Sequence, residues 1–559
     1  MYKKISQYLI DIYGPEDGIN AADKLETKLL SQEHISSERK NVPDEKNSYL
    51  ITYGDMVCSE GENKLKTLHK FIRDRLSGTI DSVHILPFYP YSSDDGFSVI
   101  DYEQVDPALG EWQDIVDFSK DFKIAADAVF NHISSQSQWF RECLKGNPHY
   151  TQYFISIPAD TDLSMVTRPR SLPLLSPYTS ENGEEHYYWT TFSADQLDLN
   201  FANYEVLLRT IEIMLFYASK GITTVRLDAI AFLWKEAGTP CLHLRQTHEI
   251  IKIYRRILEE YAPDMILLTE TNVPHQENIS YFGNNDEAQM VYQFPLPPLT
   301  AHAVMTGNAK YLTKWASSLE EPDGYNTFFN FLASHDGIGL RPAFDLLPPD
   351  ELQNMLDTAC DNGGRISYRS LPDGSQSPYE LNISYFNLFT SGNDEDKSIA
   401  KFLLAHSILM VMPGIPAIYF HSMFGSVNDQ KAVEGTGHNR CINREKFTLE
   451  QLEYELDMPE SRRNRIFSRL KKLLQIRREE PAFHPKSGFE VMHIWPEVFA
   501  IRRNTGNPEM ELMAIHNLSG KPVSLDLRGE RYDIISGKKY KGHVTLAPLE
   551  FVWLRENGN

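Results

Sequence analysis

Short apolar runs recur along most of the chain, with amphipathic helical segments between them. Nearly continuous apolar strands that alternate with helices are typical of a parallel sheet covered on both faces. Eight such runs predict an α/β fold built on a closed (β/α)8 barrel, also called a TIM barrel. The runs are SYLITYG (48–54), SVHILPF (82–88), KIAADAVF (123–130), TTVRLDAI (223–230), MILLTE (265–270), MVYQFP (290–295), TFFNFLAS (327–334) and PGIPAIYF (413–420).

The remaining pattern divides the chain into three parts. Residues 1–47 predict a charged helical extension that ends in a polar linker, and residues 48–485 hold the barrel. Residues 486–559 alternate between apolar and polar positions in short strands, which predicts a small antiparallel β domain. Two insertions, at about 133–205 and 341–395, are too long for simple crossovers. Because long insertions between barrel strands usually shape the substrate pocket, we expect both to border the site.

Composition narrows the class of protein. The 55 lysines and arginines against 77 aspartates and glutamates give a net charge of −22, which argues against nucleic acid or an anionic membrane as partner. Five scattered cysteines without a CxxC pair indicate reduced thiols. The N-terminal segment lacks a signal-peptide pattern, and the chain has no apolar run of about 18 residues. We expect a cytoplasmic protein that binds small molecules, as a monomer or homodimer.

Polar residues stand where several predicted strands end. In a barrel, the carboxyl ends of the strands face the active site. The third run carries Asp127 and is followed by Asn131 and His132, the fourth carries Arg226 and Asp228, the fifth ends in Glu270, and the seventh is followed by His335 and Asp336.

Asp228 and Glu270 end neighbouring predicted strands and could flank one bond. Two carboxylates about 5 Å apart are the arrangement of retaining glycosidases, with one as nucleophile and the other as acid and base. Arg226 lies two residues before Asp228 on the same strand face, and its charge would keep Asp228 ionised. Glu270 ends the apolar run MILLT, where desolvation would raise its pKa and keep it protonated.

Four segments resemble the motif regions of the α-amylase family, glycoside hydrolase family 13, in the same order. They are DAVFNH (127–132), GITTVRLDA (221–229), LLTE (267–270) and ASHD (333–336). The resemblance implies that Asp228 is the nucleophile, Glu270 the acid/base and Asp336 a third carboxylate that binds sugar hydroxyls. It also implies that His132, His335 and Arg226 line the subsite of the glucosyl ring.

A narrower resemblance covers most of the chain and points to the sucrose phosphorylase subfamily. Its segments are 84–112, RPR (168–170), FSADQLDLN (192–200), SPYELN (377–382) and NRCINR (439–444). It implies that Asp94, Phe97, Gln196 and Arg440 enclose a single glucosyl unit, with Arg444 as the alternative to Arg440.

Phosphorolysis needs a site for phosphate beside three carboxylates, which would repel an anion unless a cation offsets them. An arginine suits this role because it binds phosphate in a bidentate way. The subfamily resemblance implies that Arg170 and Tyr379 contact phosphate. The next residue is Glu380, where sucrose phosphorylases carry Gln, and this departure counts against sucrose as substrate.

A second departure is Phe232, where sucrose and glucosylglycerol phosphorylases have Tyr. The surrounding stretch, together with 168–177 and 270–283, is similar to the glucosylglycerate phosphorylases within the subfamily. Their acceptor carries a carboxylate, for which Lys235 and Arg168 are candidate partners; the sequence does not choose between them.

These observations predict a retaining α-glucoside phosphorylase that converts 2-O-α-D-glucosylglycerate and phosphate to α-D-glucose 1-phosphate and D-glycerate. Phosphate is then a co-substrate, and we predict no cofactor and no catalytic metal. Sucrose, sucrose 6'-phosphate and glucosylglycerol stay open as alternative substrates. A hydrolase or transglucosidase with the same site, and a non-catalytic carbohydrate-binding protein on the same fold, are the further alternatives.

Overall fold

The computed structural model describes residues 2–30, 35, 41–170, 172–371, 375–507 and 510–556. The first part of the predicted polar linker, residues 31–40, lies outside the described residues except for residue 35. No helix within the described ranges is long and apolar enough to cross a membrane.

The strands and helices follow one another in the alternation that the sequence pattern indicates. The strands are β1 Tyr49–Thr52, β2 Val57–Cys58, β3 Ser82–Ile85, β4 Lys123–Ala128, β5 His132–Ser134, β6 Leu175–Thr179, β7 Glu185–Trp189, β8 Gln196–Asp198, β9 Ile222–Leu227, β10 Ile266–Thr269, β11 Met290–Tyr292, β12 Thr327–Phe331, β13 Ile338–Gly339, β14 Arg365–Ser370, β15 Gln376–Asn382, β16 Ile415–Tyr419, β17 Phe447–Thr448, β18 Gly488–Met492, β19 Val498–Asn504, β20 Leu512–Asn517, β21 Val523–Asp533, β22 Lys539–Leu546 and β23 Phe551–Glu556. The helices are α1 Tyr2–Leu30, α2 Lys64–Leu76, α3 Trp112–Phe118, α4 Gln138–Leu144, α5 Pro148–Thr151, α6 Tyr204–Ser219, α7 Arg245–Tyr261, α8 His275–Ile279, α9 Leu296–Thr306, α10 Lys310–Ala316, α11 Pro349–Asp361, α12 Glu395–Val411, α13 Phe420–Met423, α14 Gln430–Thr436, α15 Leu449–Asp457 and α16 Arg462–Glu479.

Eight parallel strands close into a barrel in the order β1-β16-β12-β11-β10-β9-β4-β3. Seven of them lie within the predicted apolar runs and β9 begins one residue before its run, so the predicted (β/α)8 fold is confirmed. Strands such as β10 and β12 are buried at every position. Burial on both faces explains why these runs are apolar throughout instead of alternating.

Both long insertions form small sheets beyond the carboxyl ends of barrel strands. After β4, β5 pairs with β8 and β6 pairs with β7, in each case antiparallel. The insertion that follows β12 forms a three-stranded antiparallel sheet of β13, β15 and β14. The first insertion sets His132 opposite Asp198 and the second sets Gly339 opposite Glu380. Residues from both insertions therefore reach the open end of the barrel.

The N-terminal helix α1 packs against α6 and α7 on the outside of the barrel. It is interrupted at Gly14, whose φ of 81° is readily adopted by glycine alone. The neighbouring Tyr13 donates a hydrogen bond to the carbonyl of Phe201 (3.0 Å), and its ring lies 6.2 Å from that of Trp234. The helix thus contacts the end of the first insertion and the loop that follows β9.

The C-terminal sheet has the order β18-β19-β20-β23-β21-β22 and is antiparallel, as its alternating pattern predicts. It packs against α12, where Trp553 Nε1 donates to Ser407 Oγ at 3.1 Å. The buried Arg503 of β19 donates to carbonyls of Val411, His484 and Ser487. The Arg503 guanidinium therefore joins the C-terminal sheet to the end of α12 and to the segment before β18.

A second buried arginine, Arg477 of α16, joins the base of the barrel to the segment before β1. Its guanidinium donates to the carbonyls of Met410 (3.0 Å), Glu45 (2.9 Å), Asn47 (3.4 Å), Gly414 (3.0 Å) and Phe483 (3.4 Å). Burial lowers its pKa to about 9, and the nearby Arg503 adds to this effect. The carbonyl dipoles must therefore stabilise the charge in place of water.

We expect Arg477→Met to lower the free energy of unfolding by about 3 kcal/mol, because it leaves several buried carbonyls without a donor. Thermal and denaturant unfolding of the purified variant would measure the change. The control is Lys472→Met, which lies on the exposed face of the same helix. Equal stability of the two variants would contradict this role for Arg477.

Candidate active site

A cavity lies at the carboxyl ends of the barrel strands. We call it the first cavity. Most of the residues predicted from sequence line it: Asp94, Phe97, His132, Arg170, Gln196, Arg226, Asp228, Glu270, His335, Asp336, Tyr379, Glu380 and Arg440. The structure thus brings together strand-end residues and residues of both insertions, which are far apart in the sequence.

Arg226, on β9, holds the carboxylates of three neighbouring strand ends. Its Nη1 lies 2.5 Å from Asp127 Oδ1 and 2.7 Å from Asp228 Oδ1, and its Nη2 lies 3.9 Å from Glu270 Oε2. Asp127 is buried and bonds His84 on its other side at 2.8 Å. Burial favours the neutral form of Asp127, yet His84 and Arg226 together hold its pKa below the ordinary value.

Asp228 is the carboxylate that Arg226 contacts most directly within the cavity. Burial raises its pKa above the ordinary value, while the charges of Arg226 and His132 oppose the shift. The next residue, Ala229, has a left-handed backbone with φ of 48°, an uncommon conformation for a residue with a Cβ. This turn directs the N–H of Ala229 to Glu270 Oε2 at 3.0 Å.

Glu270 combines burial with neighbouring negative charge. Burial raises its pKa to about 7, Arg226 opposes the rise, and Asp228 and Asp336 add to it. Asp228 has the short ion pair with Arg226, whereas Glu270 is 3.9 Å from the same guanidinium. Of the two carboxyl groups, Glu270 is therefore the one that keeps a proton, which matches an acid beside an ionised nucleophile.

Asp336 is the third carboxylate, and two arginines and a histidine surround it. Its Oδ1 lies 2.6 Å from Arg440, 3.5 Å from His335 and 3.9 Å from Arg444. Burial favours its neutral form, but Arg440, His335 and Arg444 hold its pKa well below the usual range. It therefore stays ionised at any ordinary pH.

The wall opposite these carboxylates is built from the loop after β3. The ring of Phe97 stacks on His335 with centroids 4.6 Å apart, and the Phe97 carbonyl accepts from His132 Nε2 (2.9 Å) and Gln196 Nε2 (3.1 Å). Gln196 also donates to Asp94 Oδ2 at 3.3 Å. Asp94 has a positive φ of 54°, so this loop is held in a strained conformation.

Arg440 and Glu380 form a buried ion pair that closes one side of the cavity. Arg440 Nη2 lies 2.5 Å from Glu380 Oε1, and Nε lies 3.2 Å from Oε2. Glu380, which departs from the subfamily pattern, is thus a second partner for the arginine that binds Asp336. Arg444 instead pairs with Asp95 and the His335 carbonyl, and it is Arg440 that lines the cavity.

A second cavity shares Glu270, Asn272 and Tyr379 with the first. Arg168 and Phe232 line it, as does a pair of arginines from the second insertion, Arg341 and Arg369. Of the residues predicted on the acceptor and phosphate side, Arg170 and Glu380 line the first cavity, Arg168 and Phe232 the second, and Tyr379 both.

Lys235, one of the two candidate partners of the acceptor carboxylate, pairs with side chains of the protein instead. Its Nζ lies 2.7 Å from Asp198 Oδ2 and 2.8 Å from Asn131 Oδ1, and its side chain is 2% exposed. It is absent from the linings that the described residues give to both cavities. Asp198 is a fully buried carboxylate in the first insertion, and Lys235 neutralises it there.

Several lining residues were missed from the sequence. Tyr292 ends β11 and lines the first cavity, but a pattern of charged and polar strand ends does not indicate an aromatic side chain. Asn272 follows Glu270 by two residues, a spacing that could have indicated it. Arg341 and Arg369 lie in an insertion whose pairing no local pattern determines.

Ionised carboxylates and arginines at the carboxyl ends of barrel strands define a class: barrel enzymes that break and form glycosidic bonds with a carboxylate pair. Residues 76–338 match the family model described as alpha amylase, catalytic domain. The chain belongs to the α-amylase family, glycoside hydrolase family 13. The family resemblance seen in the sequence motifs is thereby confirmed.

Relatives and a solved structure narrow the similarity. The chain is 46% identical to the glucosylglycerate phosphorylase of Allomeiothermus silvanus, over 91% of this chain and 91% of that protein. It is 42% identical to the glucosylglycerate phosphorylase of Escherichia coli, over 99% and 100%. The crystal structure of sucrose 6F-phosphate phosphorylase from Thermoanaerobacter thermosaccharolyticum superposes with a TM-score of 0.75 at 25% identity, covering 87% of this chain and 95% of that one.

We expect the value of kcat/KM for the glucoside to fall as pH rises through about 7, because Glu270 must be protonated to act as an acid. The protonated fraction is high below this pKa and is lost above it. Glu270→Gln should lower turnover by roughly 10²- to 10⁴-fold and abolish this alkaline limb. Initial rates from pH 5 to 9 for both proteins provide the test, and an unchanged limb in the variant would contradict the assignment.

Proposed function

We propose that this protein is a retaining α-glucoside phosphorylase that converts 2-O-α-D-glucosylglycerate and phosphate to α-D-glucose 1-phosphate and D-glycerate. The observation that carries the proposal is the complete set of Asp228, Glu270 and Asp336 in a cavity that continues into an arginine-lined one. The two relatives at 46% and 42% identity, both named glucosylglycerate phosphorylase, support the choice of substrate.

In the first step, a carboxylate oxygen of Asp228 attacks the anomeric carbon of the glucosyl unit. The bond from that carbon to O2 of glycerate breaks, and Glu270 gives its proton to the departing oxygen. The product is a β-glucosyl-enzyme ester. Asp336, which its cationic neighbours hold ionised, stabilises the positive charge that develops on the sugar ring.

In the second step, an oxygen of phosphate attacks the same carbon and releases Asp228, while Glu270 takes up the phosphate proton. Two inversions leave the α configuration, as in α-D-glucose 1-phosphate. We assign phosphate to Arg170 and Tyr379, which line the first cavity. Burial raises the pKa of Tyr379 to about 12, so its hydroxyl remains a hydrogen-bond donor. Both steps are reversible, so the enzyme should also synthesise the glucoside.

The proposal needs phosphate as co-substrate and no metal or cofactor, because side chains supply both the nucleophile and the proton. We also propose a cytoplasmic location. The five free cysteines and the net charge of −22 support it.

Comparing a set of acceptors in the synthetic direction is the direct test of this function. Phosphate release from α-D-glucose 1-phosphate should require D-glycerate and be much slower with glycerol, fructose, fructose 6-phosphate or buffer alone. Release measured by a phosphate assay with each acceptor at equal concentration checks this. Equal release in buffer alone would identify water as the acceptor, and faster release with fructose or glycerol would identify a sucrose or glucosylglycerol phosphorylase.

Asp228→Ala should abolish both directions of the reaction, because it removes the carboxylate on which the glucosyl ester forms. The measurement is turnover of the variant, with its fold checked by circular dichroism. Addition of azide, a small anionic nucleophile, should restore release of glycerate as the β-configured glucosyl azide forms. Turnover near that of the native enzyme would remove Asp228 as the nucleophile.

A further inference from the structure

The second cavity has an excess of positive charge on one wall. Arg341 lies in the short helix after β13, and Arg369 lies on β14, so both come from the second insertion. Glu270, Asn272 and Val273, which follow β10, line the same cavity. The acid/base carboxyl and the two guanidinium groups therefore border the same space.

The two arginines are incompletely matched by protein carboxylates. Arg341 Nη2 reaches Glu277 Oε2 at 3.4 Å, and that carboxylate is shared with His243 at 3.1 Å. Arg369 Nε is buried without a hydrogen-bond partner among the described residues. Burial and the charge of Arg341 both lower the pKa of Arg369, so the pair is an unfavourable arrangement until an anion joins it.

Glycerate has the shape that such a wall recognises. Its leaving oxygen, O2, and its carboxylate are bonded to the same carbon, so the carboxylate must lie close to the oxygen that Glu270 protonates. A carboxylate accepts two parallel N–H bonds from a guanidinium, which gives both affinity and orientation. A neutral acceptor such as glycerol has no group that could offset the two charges.

We propose that Arg341 and Arg369 bind the carboxylate of the acceptor and so determine the preference for glycerate over neutral acceptors. This inference rests on the proposed function and adds the residues that select its substrate. It replaces the role predicted for Lys235, whose ammonium group is taken up by Asp198. Arg168 also borders the cavity but is largely exposed, so its contact with an anion would be more strongly screened.

Phosphate is the competing anion for these two arginines. During the second step it must reach the anomeric carbon on Asp228. Arg170 lines the first cavity together with Asp228, whereas Arg341 and Arg369 border only the second. We therefore assign phosphate to Arg170 and the acceptor carboxylate to the pair.

The test uses Arg369→Gln and Arg341→Gln, with Arg365→Gln as the matched control. Arg365 lies on the same strand β14, is exposed and does not border either cavity in the described residues. The synthetic reaction from α-D-glucose 1-phosphate gives kcat/KM for D-glycerate and for glycerol. Exchange of labelled phosphate into α-D-glucose 1-phosphate, measured without acceptor, gives KM for phosphate.

We expect each variant in the pair to lower the ratio of kcat/KM for D-glycerate to that for glycerol by roughly 10- to 100-fold, the effect of losing one charged hydrogen-bonding partner. Arg369→Lys should recover part of the ratio, because it restores the charge without the fork. KM for phosphate should change far less than KM for D-glycerate, and Arg365→Gln should leave the ratio intact.

Three outcomes would overturn the inference while leaving the function standing. The first is an unchanged ratio of kcat/KM for D-glycerate to that for glycerol in both Gln variants. The second is a rise in KM for phosphate that exceeds the rise in KM for D-glycerate. The third is an equal fall of the ratio in Arg365→Gln. A variant that fails to fold would show no phosphate exchange, and the Lys substitution then carries the test. Failure of the proposed function is a separate result, since the native enzyme itself would then show no preference for D-glycerate.

Discussion

The guanidinium of Arg226 lies at 2% exposure among the carboxylates of Asp127, Asp228 and Glu270. Asp127 lies on β4, Arg226 lies on β9 with Asp228 just after it, and Glu270 follows β10. Because these three strands are adjacent in the barrel, their register fixes the distances among the four side chains. Removing one member of a buried charged group leaves the others uncompensated, at a cost of several kcal/mol. The nucleophile, the acid and their supporting aspartate therefore depend on one cation.

Asymmetry around that cation assigns the chemical roles. Asp228 receives a short, direct contact from Nη1, whereas Glu270 lies farther from Nη2 and accepts a backbone N–H from Ala229. Ala229, the donor of this contact, has a left-handed backbone. The residue after the nucleophile therefore contacts the second carboxyl group directly. Glu270, which has the weaker ion pair with Arg226, is the group whose pKa is raised to about 7.

The sequence was sufficient for the parts that local pattern or strand position determines. Eight apolar runs predicted the barrel because a strand that is buried on both faces is apolar at consecutive positions. The positions of Asp228 and Glu270 at strand ends predicted that they meet, because parallel strands all end at the same face of a barrel. Lys235 stayed a candidate for the acceptor because its partner, Asp198, comes from a strand paired within the first insertion, which no local pattern indicates. Arg341 and Arg369 were missed because the antiparallel pairing of β14 with β15 depends on contacts between segments and has no motif.

The two ends of the site differ in how far the protein neutralises its own charges. On the side of Asp336, Arg440 is engaged by Asp336 and Glu380, and Arg444 is engaged by Asp95, so little charge remains for a ligand. On the other side, Arg369 Nε has no partner within the described chain and Arg341 shares its carboxylate with His243. A neutral glucosyl unit suits the first environment. The second environment suits the carboxylate of glycerate, because Arg341 and Arg369 keep positive charge that the protein leaves incompletely paired, whereas phosphate is assigned to Arg170 in the first cavity.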